Sequence, residues 1–434
     1  MRYAIRADFL HFTDEPDAKQ QTGYSYIQDG LLIVNNGLVE QLGLASELQP
    51  LLEDDVLVDE SNKGKLIIPG MIDAHTHYPQ IDMIASYGEQ LLDWLNTYTF
   101  PAEMRFGDKR YARDVAERFL HECFINGTTT AMVFCSKHPE SVDAFFEVAS
   151  QYKARMIAGK VMMDRHAPDQ LLDTAEQSYY DTKRLIEKWH GYERLFYAIT
   201  PRFAPTSTPE QLLNAATLKQ QFEDVYIHSH ISENKAEVAW VKSLYPNCEG
   251  YLDVYKQHGL LTDRTVLAHG VHLEDTELQT MAEYGASIAF CPTSNLFLGS
   301  GLFDVERCKA FAVEFSLATD VGAGTSFSML KTMRAAYEVG QLQGHSVHPL
   351  TAFYWVTLGN AKTLKLDSYI GNFERGKEAD FIVLNPNSTS VMSYRYSLCE
   401  TLEEKLFAMM CLGDDRLIEK TYILGKKVHD KSID

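Results

Sequence analysis

The run Leu66-Ile67-Ile68-Pro69-Gly70-Met71-Ile72-Asp73-Ala74-His75-Thr76-His77 carries a short apolar strand into two histidines separated by one residue. Side chains at i and i+2 of a strand share a face, so the imidazoles of His75 and His77 converge on one point. Neutral imidazole is a common zinc ligand, and two of them at a strand end make half of a metal site. Taken alone, a His-x-His pair also reads as a surface pair or a hydrogen-bonded core pair. What the rest of the chain places beside it decides between these.

Leu66–Asp73 is the first of eight short, continuously apolar segments, the pattern of strands buried on both faces. The others are Thr128–Phe134, Arg155–Val161, Leu195–Thr200, Val225–His230, Thr265–His269, Ala286–Cys291 and Ala312–Thr319. Amphipathic helical stretches separate most of them: Tyr111–Ile125, Ser141–Ser150, Leu171–Trp189, Glu210–Phe222, Lys235–Leu244 and Leu273–Tyr284. Repeated strand–helix units of this size predict an α/β fold, a (β/α)8 TIM barrel. The alternative, an open doubly wound sheet, calls for a glycine-rich phosphate turn after its first strand, and here that turn carries histidines.

Residues 1–65 read as short strands and turns, with strands at Tyr24–Ile27, Leu31–Val34, Leu38–Leu42 and Val56–Asp59 and turns at Asp29-Gly30 and Asn35-Asn36-Gly37. Asn-Asn-Gly between apolar runs is a hairpin signal. Beyond the eighth strand come helical segments at Met329–Gln343 and Thr351–Leu366, then strand character at 371–384 and a last strand at Lys420–Val428. The expected organisation is a catalytic barrel over 66–370, with a small β-sandwich domain formed from both chain ends, 1–65 and 371–434.

A chain of 434 residues with 45% hydrophobic and 23% charged residues is ordinary for a globular protein. Its formal net charge of −20 argues against nucleic-acid binding, which needs clustered Lys and Arg. No apolar run approaches the ~18 residues of a membrane span, and Met1–Asp8 has no signal-peptide core. Seven scattered cysteines form no C-x-x-C pair and no disulfide framework, so a cytoplasmic location is expected.

Active sites of such barrels lie at the C-terminal ends of the strands. There the fifth strand ends in His228-Ser229-His230-Ile231-Ser232-Glu233, the sixth in His269 and the eighth in Asp320. With His75 and His77, one rim gathers three or four imidazoles and a carboxylate, a shared zinc site.

At these residues the chain resembles the amidohydrolase superfamily over essentially its whole length, and within it the guanine deaminases. The resemblance is carried by Pro69–Gln80, Trp94–Glu103, Thr200-Pro201-Arg202-Phe203-Ala204-Pro205-Thr206, Ser229–Asn234, Pro292-Thr293-Ser294-Asn295 and Thr319–Gly324. It implies one zinc (with iron as the other candidate metal) held by His75, His77, His230 and Asp320. It also implies His269 beside the attacking water, Glu233 as proton shuttle, and Gln80, Arg202 and Phe203 holding guanine. His77, His230, Glu233 and Asp320 would border the substrate as well. A homodimer is implied by the family's habit.

The residue chemistry agrees with those roles. Zinc lowers the pKa of bound water from roughly 15.7 to about 7, on the order of 12 kcal/mol in favour of hydroxide. Glu233 lies three residues beyond His230, where the chain leaves the strand, so its carboxyl reaches the same water for general acid–base work. Arg202 presents a donor fork suited to the O6/N7 edge of guanine, Phe203 an aromatic face, and Gln80 a donor and an acceptor together.

Blander readings stand beside these. Arg202 also reads as the partner of a helix carboxylate, and Glu233 as an acid at a helix start. His228, one layer below the rim, is expected as a hydrogen-bonded core histidine. Lys160, on the third strand, is not expected to be a carboxylated bridging lysine, which belongs on the fourth. His166, His345 and His348 read as surface or loop residues, and Asp73 and Asp82 receive no role. Competing functions are a deaminase of cytosine, 8-oxoguanine or a triazine, a binuclear phosphoesterase or cyclic-amide hydrolase, and a non-catalytic barrel scaffold.

Overall fold

The computed structural model describes residues 2–88 and 90–431, so Met1 and residues 432–434, the extremes of the two expected terminal segments, lie outside it. Eight parallel strands follow one another around a barrel: β1 (Met71–His77), β2 (Thr128–Phe134), β3 (Arg155–Gly159), β4 (Leu195–Pro201), β5 (Tyr226–Ile231), β6 (Thr265–His269), β7 (Ser287–Phe290) and β8 (Phe315–Leu317). Each pairs in parallel with the next. The ring closes at the C-terminal rim, where Asp320 N donates to His75 O at 2.9 Å and His77 N to Val321 O at 2.7 Å. Below them, Asn360 Nδ2 donates to Ile72 O (2.7 Å) and Leu317 O (2.8 Å), joining the first and last strands through one buried amide. The interior is packed with Ile72, Met132, Ile157, Ala198, Val266 and Ala289, so the barrel is a core and not a channel.

The segment expected as one strand, Leu66–Asp73, is two. Leu66–Pro69 belongs to the terminal sheet and β1 begins at Met71, with Gly70 between. A Cβ on Gly70 would sit 2.1 Å from Thr129 Oγ1, so only glycine lets the chain cross from sheet to barrel there.

The strands from both chain ends join in one eight-stranded sheet, in which Leu66–Pro69 pairs with Arg2–Asp17 on one side and Phe381–Leu384 on the other. Asn36 (φ 51°) and Gly37 (φ 85°) make the expected hairpin turn between Thr22–Asn35 and Leu38–Leu44. Asp29-Gly30 is not a turn. It is a bulge within the single strand Thr22–Asn35, where Asp29 N donates to Asp8 Oδ1 and Arg6 pairs with the Asp29 carboxylate. The last strand is likewise two, Ile418–Ile423 and Lys426–Asp430, turning at Leu424-Gly425.

Helices at Lys109–Ile125, Pro139–Tyr152, Ala175–Trp189, Pro209–Gln221, Lys235–Leu244 and Asp275–Tyr284 cover the barrel close to their expected positions. The helices Ser390–Ser397 and Leu402–Leu412 were not expected. A buried ion network clamps sheet to barrel: Arg155 and Arg194, at the bottoms of β3 and β4, share Glu378, and Arg194 also binds Asp380. The seven cysteines are unpaired, and no described helix is long and apolar enough to cross a membrane.

Candidate metal and substrate site

Four nitrogen or oxygen atoms from three strand ends meet above the barrel. His75 Nε2 lies 3.1 Å from His77 Nε2, which lies 3.3 Å from His230 Nε2. Asp320 Oδ1 lies 3.1 Å from His75 Nε2 and 3.2 Å from His77 Nε2. His269 Nε2 stands slightly back, 3.8 Å from Asp320 Oδ2 and 3.4 Å from Glu233 Oε2. His75, His230, His269 and Asp320 alone offer donor atoms all within 4.8 Å of one another.

The donor set fits a metal ion on three counts. Burial pushes all the imidazoles of the group whose titration is displaced toward the neutral, ligand-competent form: His77 to about 3, His75 down, and His230 well below the usual range. Burial would raise the Asp320 carboxyl, but its close contacts with the His75 and His77 rings outweigh it and hold it well below the carboxylate range. His230 Nδ1 donates to Arg202 O at 2.6 Å, so its Nε2 carries a lone pair aimed at the other acceptors. Lone pairs packed this closely repel unless a cation lies among them. Finally, tetrahedral zinc with bonds of about 2.0–2.1 Å spaces its ligand atoms roughly 3.3 Å apart, close to the 3.1–3.3 Å between the four pairs described above.

Behind this group a second layer of side chains meets the rings of His75 and His269. His75 Nδ1 meets His228 Nε2 at 2.7 Å, with His228 fully buried below the rim. His269 Nδ1 meets Asn295 Oδ1 at 2.9 Å. His269 (φ 76°) and Asp320 (φ 52°) adopt left-handed backbone, a strained conformation for such residues that turns their side chains over the rim. Asp73, given no role from sequence, is buried directly beneath. Its Oδ1 accepts from His75 N (3.3 Å) and Thr319 N (3.0 Å), and its Oδ2 from the Thr319 hydroxyl, so one carboxylate ties the β1 end to the Asp320 loop.

Beside this group lies a cavity bordered by His77, Gln80, Arg202, Phe203, His230, Glu233, His269 and Asp320. Every residue nominated from sequence borders it except His75, which lies beneath. Leu91, Trp94, Leu95, Leu298 and Ala323 make its apolar wall. Glu233 follows Ser232 (φ 47°), which turns the chain off β5. Its Oε1 accepts from Ser300 Oγ at 3.2 Å, and burial followed by the Asp320 charge pushes the carboxyl up to about 8.

Sequence reading quoted Glu103 and Asn295 within stretches that carry the resemblance but gave them no role, and it passed over Glu237 and Ser300. Glu237 borders the cavity and accepts from Glu233 N (2.8 Å), Asn234 N (3.1 Å) and Tyr251 OH (2.7 Å). Its signal was present as an Asn-x-x-Glu capping box, Asn234 to Glu237. Lys160 is buried against Asp173, Ser178 Oγ and Val161 O, apart from the metal-competent group. The expected loop histidine His166 is held by Pro205 O.

A closed eight-stranded barrel with His-x-His on its first strand, histidines on the fifth and sixth and aspartate after the eighth defines a hydrolase class, and the chain belongs to the amidohydrolase family, which matches residues 66–428. Within that family it is 52% identical over 431 residues to guanine deaminase of Escherichia coli K12, covering 99% of this chain and 98% of the relative. A crystal structure of guanine deaminase from Bradyrhizobium japonicum superposes with a TM-score of 0.96 at 38% identity, covering 99% of this chain and 100% of that one. The structure of guanine deaminase from C. acetobutylicum with guanine bound in the active site gives a TM-score of 0.88 at 27% identity, with the same coverage.

Proposed function

We propose that this protein is a metal-dependent guanine deaminase, hydrolysing guanine to xanthine and ammonia. The observation that carries the proposal is the adjacency of the imidazole–carboxylate nest to a half-apolar cavity whose polar wall is Gln80, Arg202 and Glu233, in a chain half identical to a guanine deaminase over its full length.

His75, His77, His230 and Asp320 would hold the metal, with zinc first in expectation and iron the alternative. When bound, the ion supplies Lewis acidity that makes water nucleophilic near neutral pH. Asp320 Oδ2, on the side of His269, takes a proton from the attacking water. Glu233 Oε2 delivers a proton to the ring nitrogen next to C2, takes up the proton of the new C2 hydroxyl, and passes it to the departing amino group, which leaves as ammonia; the proton on Asp320 then returns to Glu233. Burial favours the protonated carboxyl that this donation requires. His269 Nε2, between the two carboxylates, is placed to stabilise the tetrahedral oxygen. Arg202, Gln80 and Phe203 orient the base against these groups.

A cytoplasmic homodimer completes the reading, supported by seven unpaired cysteines and by the family's habit. The test is turnover of guanine against cytosine, adenine and 8-oxoguanine, following xanthine and ammonia, with the mass of the species in solution measured alongside. A clear preference for any of the other three bases overturns the substrate assignment, and a monomer overturns the assembly.

A further inference from the structure

Glu103 is fully buried at the end of a short helix, Phe100–Glu103, and reaches two cavity-lining residues from different loops. Arg202 Nη1 donates to both of its oxygens, at 3.0 and 2.9 Å, and Gln80 Nε2 donates to Oε1 at 3.1 Å. A carboxylate only accepts hydrogen bonds, so it forces Gln80 to turn its nitrogen toward Glu103. The Gln80 carbonyl then takes Gly322 N at 3.4 Å. Phe100 lies against the guanidinium, 5.5 Å from ring centroid to Cζ. With Nη1 committed to Glu103, Arg202 keeps Nε and Nη2 for the cavity, and Gln80 keeps its second N–H. This wall therefore offers donors, and because Glu103 neutralises Arg202 it accepts an uncharged ligand.

We infer that Glu103 is a positioning residue that sets this hydrogen-bonding polarity, selecting purines with an oxo group at C6 over those with an amino group there. The inference rests on the reading of the site as a guanine deaminase. A 6-oxo group and N7 are both acceptors and meet donors, whereas a 6-amino group sets donor against donor. Sites built to hydrogen-bond a substrate group reject the analogue lacking it by large factors, on the order of 10⁴. Changing Glu103 to Gln presents an amide N–H₂ to one of its two partners. Gln80 then either faces that N–H₂ with its own or rotates to accept it and sets its nitrogen against Gly322 N, so its orientation is no longer fixed and the donor pattern of the wall is lost.

The experiment compares kcat/KM for guanine with that for 2,6-diaminopurine, which keeps the 2-amino leaving group and exchanges the 6-oxo group for amino. Wild-type protein is expected to favour guanine at least about a thousandfold. In E103Q, guanine kcat/KM falls mainly through KM, and the preference shrinks at least tenfold, with metal content per chain unchanged. E103D, still an acceptor only, keeps the preference while raising KM. Should E103Q not fold, inhibition of wild-type protein decides: hypoxanthine is expected to bind at least tenfold more tightly than adenine, and equal inhibition overturns the inference. Wild-type turnover of guanine with an unchanged E103Q preference overturns this inference alone. Wild-type protein that turns over neither base overturns the functional reading and the inference together.

Discussion

Asp73 offers the sharpest test of how the site is held. Its Oδ1 serves two backbone amides, His75 N and Thr319 N, and its Oδ2 serves the Thr319 hydroxyl. In Asp73→Asn the carbonyl oxygen can keep both amides, and the new N–H₂ faces a hydroxyl that can rotate to accept. Only the charge assistance is lost, and the buried charge's desolvation cost goes with it, so the change is expected to be about 1 kcal/mol. Asp73→Ala instead strands two buried N–H groups at about 1–3 kcal/mol each and opens a small void, for about 4 kcal/mol in total. Because the two amides belong to a metal-competent histidine and to the neighbour of Asp320, the alanine variant should also bind metal 10–100-fold more weakly. Urea denaturation and chelator competition measure both quantities. Equal damage from Asn and Ala would refute the hydrogen-bond argument in favour of a purely electrostatic one, and an Ala variant indistinguishable from wild type would refute both.

Glu233→Gln is expected to retain full metal content and lose 10²–10⁴-fold in kcat, because Ser300 keeps an acceptor while the proton carrier is gone; steady-state kinetics beside metal analysis would expose an error as unchanged kcat. His11 is buried against Phe373, and burial pushes its imidazole from 6.5 down to about 4. The unfolded chain therefore takes up a proton that the folded one refuses, so this contribution is complete above pH 6.5 and about 3 kcal/mol is lost on going down to pH 4. His11→Gln should flatten that part of the stability–pH curve in urea titrations, and an unaltered slope would contradict the assignment. Arg194→Ala leaves the buried Asp380 carboxylate without its cation, although Arg155 still holds Glu378. A loss of about 3–5 kcal/mol in urea denaturation is expected, and a loss under 1 kcal/mol would show that the clamp between sheet and barrel contributes little.

The barrel was legible because strands covered on both faces must be continuously apolar, so Thr128–Phe134 and Thr265–His269 appear in the structure with the bounds read from sequence. The metal-competent group was legible for a related reason: strand ends are points at which period-2 geometry fixes which side chains converge. The misread elements are those in which one residue alters the backbone path. Gly70 divides a seemingly continuous run, and Asp29-Gly30 mimics a turn while bulging a strand. Arg2–Asp17 escaped notice because its charged positions, Arg6 and Asp8, are satisfied by Asp29 and Glu60 from other segments and not by local alternation. The supporting residues were hidden by distance along the chain. Glu103 meets Arg202 across 99 positions and Asp73 meets Thr319 across 246, and no local pattern encodes either pairing.

The most direct test of the account is made on one preparation of the purified protein, with metal content and guanine turnover measured together before and after chelation. About one divalent ion per chain is expected, with xanthine and ammonia formed in equal amounts, activity lost to the chelator and restored by added zinc. Full guanine turnover by metal-free protein, or metal-loaded protein inert toward guanine, would contradict it.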